Sequence, residues 1–565
     1  MAGDLLSIAA SGLLAAQRAL STTGNNIANA STEGYSRQRV ELAERDPSFT
    51  GGGYVGNGVN IATIARSYDN FLNTQVRTSQ SASGGAAAYD QMATQVDKLV
   101  GDSNSGLPSS LQTFFNGLQG VANDPTSTAA RQVLLSRGES LANRFNSLNG
   151  QLNTLRDQTQ QSLSSGVDQI NTWAAGIATL NTQIVSATAY GKGQPPNDLI
   201  DQRNLLVEKL SAKVDTSVMA KQDGTIDVFI GNGQSLVMGS AANRLQTQAS
   251  AYDARTRDIA IATGNQGSIV ITQSLTGGEM GGLLKFGREV LDPAQNSLGR
   301  IAAGLGLAVN AQHTQGTDQN GNPGQNFFTD PTTPSDSWFG KSSNTGNAQL
   351  SVAFDSTPAS ATAPANGPAQ LTASDYRLDF DGSGNATLTR LSDNTKFTAN
   401  PPASGSFQVD GLKIAVASGA ASAGDSFLIE PFRTPAGTLG LALNDPSRIA
   451  AAGKPPTGSG DNTNALALAG LQTAKGLLGG TATVQSAYSQ LIGNVATQAN
   501  AAGVDSTAQK KLLDQATQSR ESVSGVNLDE EAANLVRFQQ AYQASAQLIP
   551  ALNNTFNALL SAIRS

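Results

Sequence analysis

Apolar side chains recur every seven residues at both ends of this 565-residue chain. Near the N-terminus the rungs are Leu6, Leu13, Leu20 and Ile27. At the C-terminus they are Leu528, Leu535, Tyr542, Ile549, Phe556 and Ile563, with Phe538, Leu552 and Leu559 three residues after their rungs. A seven-residue period keeps one seam facing a partner, because 3.5 residues per turn brings the same face round every second turn. The pattern predicts a helix over residues 4–30, with Asp4 at its positive end, and a second helix of about 36 residues from 528, roughly 54 Å long. Helices of this kind are marginal alone in water. The two ends are therefore expected to pair with each other or with neighbouring copies, and to stay largely disordered until they do. Pro550 lies inside the second ladder and removes one backbone donor, which predicts a kink near Ala546.

Between the ends the period alternates. Residues 1–65 read as the N-terminal helix and an extended Gly/Asn-rich loop, and 66–212 as a helical inner body. The best stretch of that body repeats Leu163, Ile170, Ile177 and Ile184, with Trp173 and Leu180 on the same seam. Pro195-Pro196 is expected to end it, since proline cannot continue the hydrogen-bond ladder. Over 213–278 the period drops to two, as in Thr225-Ile226-Asp227-Val228-Phe229-Ile230, which reads as strand. Residues 279–324 return to helix. Residues 325–452 return to β, with Tyr376–Phe380 leading into the turn Asp381-Gly382-Ser383-Gly384-Asn385. A Pro/Gly/Ser/Asn-rich linker opens 453–527, which then turns helical into the terminal segment 528–565. The expected class is multi-domain α+β, with terminal helical coiled-coil or bundle domains and inserted β-rich outer domains.

Composition narrows the function classes. Charged residues make up 14% and the formal net charge is −7, with no basic run. Phosphate binding needs clustered Lys and Arg, so nucleic acid is not an expected partner. The absence of cysteine excludes disulfides, thiol catalysis and thiolate metal sites. No run approaches 18 apolar residues, so no membrane insertion is expected. The first 30 residues lack a basic n-region and Arg18 interrupts any apolar run, so export is expected to proceed without a cleaved signal peptide.

Candidate chemistry is thin. His313 is the sole histidine and no G-x-S-x-G elbow accompanies it, so a helix-end or loop role is expected. Gly340-Lys341-Ser342 matches the end of a P-loop, but Ser335 stands where the first glycine belongs. Asp318-Gln319-Asn320-Gly321-Asn322 resembles the start of a calcium loop, yet Thr329 occupies the position of the bidentate carboxylate. Asp529-Glu530-Glu531 reads as a helix start with Asn527 as N-cap. No catalytic, cofactor-binding or metal-ligating residue is assigned, and no cofactor is expected.

Several segments carry a family resemblance. Ser11-Gly12-Leu13, Leu20, Asn25-Asn26-Ile27-Ala28-Asn29, Thr32 and Gly34-Tyr35 resemble the N-terminal motif of the bacterial flagellar axial proteins, the rod, hook and hook-associated proteins. Val526-Asn527-Leu528-Asp529-Glu530-Glu531, Asn534-Leu535, Phe538-Gln539 and Ala541-Tyr542 resemble the matching C-terminal motif. Three inner segments are similar to the hook-associated branch. They are Gly34-Tyr35-Ser36-Arg37-Gln38, Asn197-Asp198-Leu199-Ile200-Asp201-Gln202-Arg203, and Gly281-Gly282-Leu283-Leu284 through Asn310, His313, Gly316, Asp318 and Gly321 to Phe327-Phe328. The resemblance implies an extracellular structural protein of the flagellum, a non-enzymatic adaptor at the junction of hook and filament. It implies assembly with copies of itself into a tube, contacts with hook protein and a second junction protein, and type III export with a chaperone on the C-terminal region. The residues expected at the assembly interface are the ladder positions given above. A hook or distal-rod protein, a secreted adhesin or fibre, and an enzyme carried on an axial scaffold are the competing readings.

Overall fold

The structure is a computed structural model that describes residues 2–49, 51–102, 106–262, 267–355, 368–381, 385–399 and 407–564. The side chains of residues 2–4, 399, 556, 559, 560 and 562–564 lie outside those described. The expected rungs Phe556, Leu559 and Ile563, the Asp4 side chain and the centre of the 381–385 turn fall in that group.

The chain leaves a terminal unit, builds a helical body with two β-rich insertions, and returns to its start. Helix α1 (Ala2–Ala28) leads into a long two-stranded arm: β1 (Gln38–Glu44), β2 (Ser48–Phe49), β3 (Tyr54–Val55) and β4 (Val59–Arg66). The body follows as α2 (Asn70–Val100), α3 (Leu107–Asn123), the 63-residue α4 (Thr128–Tyr190) and α5 (Asn197–Lys213). Ser127 caps α4 by accepting the Ala130 N–H at 3.2 Å. The expected seam is buried, with Leu163, Ile170, Ile177, Leu180 and Ile184 in the core and Trp173 packed against it.

The break after α4 falls earlier than the prolines suggest. The helix stops at Tyr190, where Lys192 and Gly193 take positive φ of 52° and 89°. A left-handed turn at a helix end satisfies the last carbonyls. Pro195-Pro196 instead lead into α5, whose first residue follows them.

Seven strands come next. β5 (Thr216–Ala220), β6 (Ile226–Ile230), β7 (Gln234–Met238) and β8 (Ala241–Ala242) form a meander. β9 (Leu245–Ala249), β10 (Arg257–Ala262) and β11 (Ser268–Val270) form a three-stranded sheet. Helix α6 (Gly278–Phe286) runs through a π turn into α7 (Asp292–His313). The Gly281-Gly282 pair is there for close approach: a Cβ on Gly282 would meet the Gly85 carbonyl oxygen of α2 at 2.1 Å.

The outer β-rich part holds β12 (Trp338–Gly340), β13 (Gln349–Phe354), β14 (Tyr376–Phe380), β15 (Ala386–Arg390), β16 (Lys396–Ala399), β17 (Phe407–Val409), β18 (Leu412–Ser418) and β19 (Ser426–Ile429). They form sheets ordered β12-β19-β14-β15-β16 and β13-β18-β17. This part has its own core, joined to the body through Ala303 and Leu307 of α7. Short α8 (Pro435–Thr438) and α9 (Thr463–Gly470) lead to α10 (Val484–Ser524), which packs along α2. Helix α11 (Leu528–Arg564) then lies against α1, so each end of the single chain finds its partner in the other. Pro550 sits inside α11 without ending it.

The inner motif from Asn310 to Phe328 is structural. Asn310 Oδ1 accepts the N–H groups of Phe327 and Phe328, both at 2.9 Å, and both rings are fully buried. His313 is also sealed. Its Nδ1 pairs with the Gln325 carbonyl at 2.5 Å, and its Nε2 accepts the Ala450 N–H at 2.9 Å. That arrangement fixes the neutral tautomer with the proton on Nδ1. The Asp318 carboxylate is taken by the turn amides of Asn320 and Asn322, each at 2.8 Å.

Candidate assembly interface

Asn26 and Glu531 place α1 and α11 side by side. Asn26 Nδ2 donates to Glu531 Oε2 at 3.0 Å, and near the far end of α1 a Cβ on Gly12 would meet Ser545 Oγ at 3.3 Å. One contact descends α11 as the other ascends α1, so the helices are antiparallel. The buried or closely packed positions of α1 along this seam are Ala9, Gly12, Ala16, Ala19, Thr23 and Asn26, spaced alternately three and four. This is a heptad seam made of small residues.

The opposing stripe on α11 is Glu531, Leu535, Phe538, Tyr542, Ser545, Ile549 and Leu552, with the same alternate spacing; Glu531 is buried and the rest are half-buried. Small side chains on one helix face large ones on the other. The expected residues Leu535, Phe538, Tyr542, Ile549 and Leu552 therefore lie on the α11 stripe.

The N-terminal ladder stands one position off this stripe. Leu13, Leu20 and Ile27 stand one position beyond Gly12, Ala19 and Asn26. Leu6 and Ile27 are 42% and 37% exposed, and Leu13 and Leu20 are half-buried. The physical reason is backbone proximity: alanine and glycine let two helices approach where a leucine row would hold them apart. Leu528, in the first turn of α11, is 55% exposed.

At the base of the helix pair, three sequence motifs meet in one polar clasp. Asn26 Nδ2 also donates to the Gln38 carbonyl at 2.9 Å, while its Oδ1 accepts the Gln38 N–H at 3.0 Å and the Tyr35 hydroxyl at 2.8 Å. Arg37 donates through Nε to Glu531 Oε1 at 2.8 Å and through Nη1 to Glu530 Oε2 at 2.7 Å. Asn527 Oδ1 accepts the Asp529 N–H at 3.0 Å, capping the helix that presents both acids.

The clasp continues into the body. Asp201 accepts Ser36 N–H at 3.0 Å, Ser36 Oγ at 2.9 Å and Arg66 Nη1 at 2.5 Å. Gln38 Nε2 donates to Asp198 Oδ1 at 2.9 Å, and Asn197 Nδ2 to the Ile64 carbonyl at 2.7 Å. Burial pushes the Asp201 carboxyl up, against the pull of Arg66 and Ser36. Burial, reinforced by Asp198, Asp201 and Glu531, holds the Tyr35 phenol protonated well above its ordinary range. Arg203, the last residue of its motif, turns inward to Asn181 at 3.0 Å and the Gly224 carbonyl at 2.7 Å, and burial brings it down to about 10. The clasp ties the helix pair to the β1–β4 arm and to α5 of the body. The residues that sequence spacing missed are the small-residue seam, Arg66 and the Asn26–Glu531 pair.

Comparison with known proteins gives this geometry a setting. Residues 93–328 match the flagellar hook-associated protein FlgK helical domain, and residues 341–431 the flagellar hook-associated protein 1 D2-like domain. Residues 6–35 match the flagella basal body rod protein family, and residues 517–562 the flagellar basal body rod FlgEFG protein C-terminal family. The chain is 38% identical to flagellar hook-associated protein 1 of Salmonella typhimurium, with 99% of each chain covered. It is 36% identical to the same protein of Escherichia coli, again over 99% of each. The solved structure of the flagellar hook junction protein FlgK from Burkholderia pseudomallei is 28% identical, with a TM-score of 0.72 over 80% of this chain and 100% of that one.

Proposed function

The chain belongs to the flagellar hook-associated protein 1 family, structural proteins at the hook–filament junction of the bacterial flagellum, and from that premise we propose that its terminal helix pair is the element through which copies assemble. The hook or distal-rod, adhesin and enzyme readings give way to the family match over nearly the full chain. The observation that carries the proposal is the division of labour on α1. Its small residues close the seam with α11, which leaves the row Leu6, Leu13, Leu20 and Ile27 half-exposed at the flank for neighbouring subunits.

In this reading the pair formed by residues 1–65 and 528–565 lines the axis of a tube, the helical segments surround it, and residues 325–452 project outward. Hook protein meets the tube on one side and a second junction protein on the other. The C-terminal segment, whose apolar stripe lacks cover until α1 meets it, is the part an export chaperone covers before an export that cleaves no signal peptide. Deleting residues 528–565 in a strain with no other copy is expected to abolish swimming and release unpolymerised flagellin into the medium. Normal filaments in that strain would overturn the proposal.

A further inference from the structure

The outer β-rich part meets the body along one face of α7, on which Asn296, Gly299, Ala303 and Leu307 recur at helical spacing. Ala303 and Leu307 enter the outer core, and Gly299 leaves no room for a Cβ against the Phe432 carbonyl. At the end of this face Asn296 Nδ2 donates to Asp375 Oδ2 at 3.0 Å. The loop between β9 and β10 makes a second contact. Ser342 N–H donates to the Ala251 carbonyl at 2.6 Å, and the Tyr252 and Ser426 hydroxyls lie 3.0 Å apart.

Asp253, Asp292, Asp375 and Glu430 gather at this joint, and Asp375 alone among them lacks an arginine. Asp292 pairs with Arg156 of α4 at 2.6 Å, Asp253 with Arg255 at 3.0 Å and Arg433 at 3.1 Å, and Glu430 with Arg433. Arg433 is thus already shared by two acids. On the sheet side, Arg390 is held by Asp393 at 2.7 Å and by Asp410 at 2.8 Å. Arg300, one turn on from Asn296, is buried and is shifted by burial alone. Asp375 is half-buried as a residue, but its Oδ1 is shut off from water and has no hydrogen-bond partner.

A carboxylate in that position is far costlier than a neutral acid. Burial pushes the Asp375 carboxyl up to about 8; Glu430 and Asp292 add to the push, and Asn296 and Arg433 only partly oppose it. We propose that the contact between the outer β-rich part and α7 is an acid-tightened joint, held closed by Asp375 in its neutral form and loosened when that carboxyl ionises. In the open joint the carboxyl meets water and returns to its ordinary range near about 4. Closing therefore takes up a proton. Closure weakens about tenfold per unit as pH rises from that range to about 8, and is level above it.

The chain has no cysteine, so an Ala303→Cys variant carries a single thiol, placed in the joint where the parent side chain is fully buried. Its rate of alkylation in the purified full chain is divided by that of an exposed Thr78→Cys control, which removes the pH dependence of the thiolate itself. From pH 7 to pH 9, above the ordinary histidine range, the relative rate is expected to rise about tenfold. With Asp375→Asn added, which keeps an acceptor for Asn296 without a titrating proton, the rise is expected to vanish. Asp375→Ser serves the same purpose if the Asn variant does not fold, as judged by helical circular dichroism. A relative rate equal at the two pH values, slow or fast, overturns the joint whatever the variants do, and so does a rise that survives the loss of Asp375. The joint is independent of the terminal helix pair, so its failure leaves the assembly reading untouched.

Discussion

Asn26 uses every hydrogen-bonding position of its side chain. Its amide donates to Gln38 and Glu531, and its carbonyl oxygen accepts from Gln38 and Tyr35. Both oxygens of Glu531 are occupied in the same way: one takes Asn26 and the other Arg37, with the side chain 2% exposed. A buried polar group left without its partner loses the full cost of desolvation, so the clasp resists piecemeal change. Glu531→Ala is expected to cost about 2 kcal/mol, the range for hydrogen bonds to a charged group. Hydrogen exchange in the first turn of α11 is expected to speed roughly thirtyfold, since each 1.36 kcal/mol is a factor of ten. Glu531→Gln, which still accepts from Asn26, is expected to lose less.

At the scale of elements, α1 separates two tasks that its sequence superimposes. Ala16 lies on the seam and Leu13 flanks it. Ala16→Leu is expected to overpack the α1–α11 contact and destabilise the pair by about 2 kcal/mol, read as loss of helicity in the purified chain. Leu13→Ala is expected to leave that helicity within error while impairing assembly in cells. The leucine row was legible in the sequence because large apolar side chains stand out from their background. The true seam was not, because Ala, Gly and Thr look like filler in a chain this rich in them, and close approach needs no bulk. The buried period of α4 was legible for the first reason. Its end was not, since a positive φ at Lys192 leaves no mark as plain as a proline.

For the whole molecule, His313 ties three segments together: α7, the loop to Gln325, and Ala450. Burial brings its pKa down to about 4, from an ordinary 6.5. The unfolded chain therefore takes up this proton first as pH falls. Stability from this group is intact above about pH 6.5, declines by about 3 kcal/mol toward pH 4, and is flat below. Denaturant unfolding at pH 7, 5.5 and 4 tests this, and His313→Gln is expected to flatten that part of the slope. The alternation of helix and β segments was legible at this scale. The clasp was not, because no spacing rule links Asn26 to Glu531.

Those two residues stand 505 positions apart. Closing so long a loop on an unfolded chain costs about 5 kcal/mol in entropy. After the body has formed, the same closure is short, since Arg37 N–H already meets the Ser524 carbonyl at 2.9 Å and Ser67 N–H the Arg37 carbonyl at 2.7 Å. Chain separation thus acts as a clock. The seam is expected to close after the body between its halves, so a half-made subunit presents both terminal helices unpaired and in need of cover.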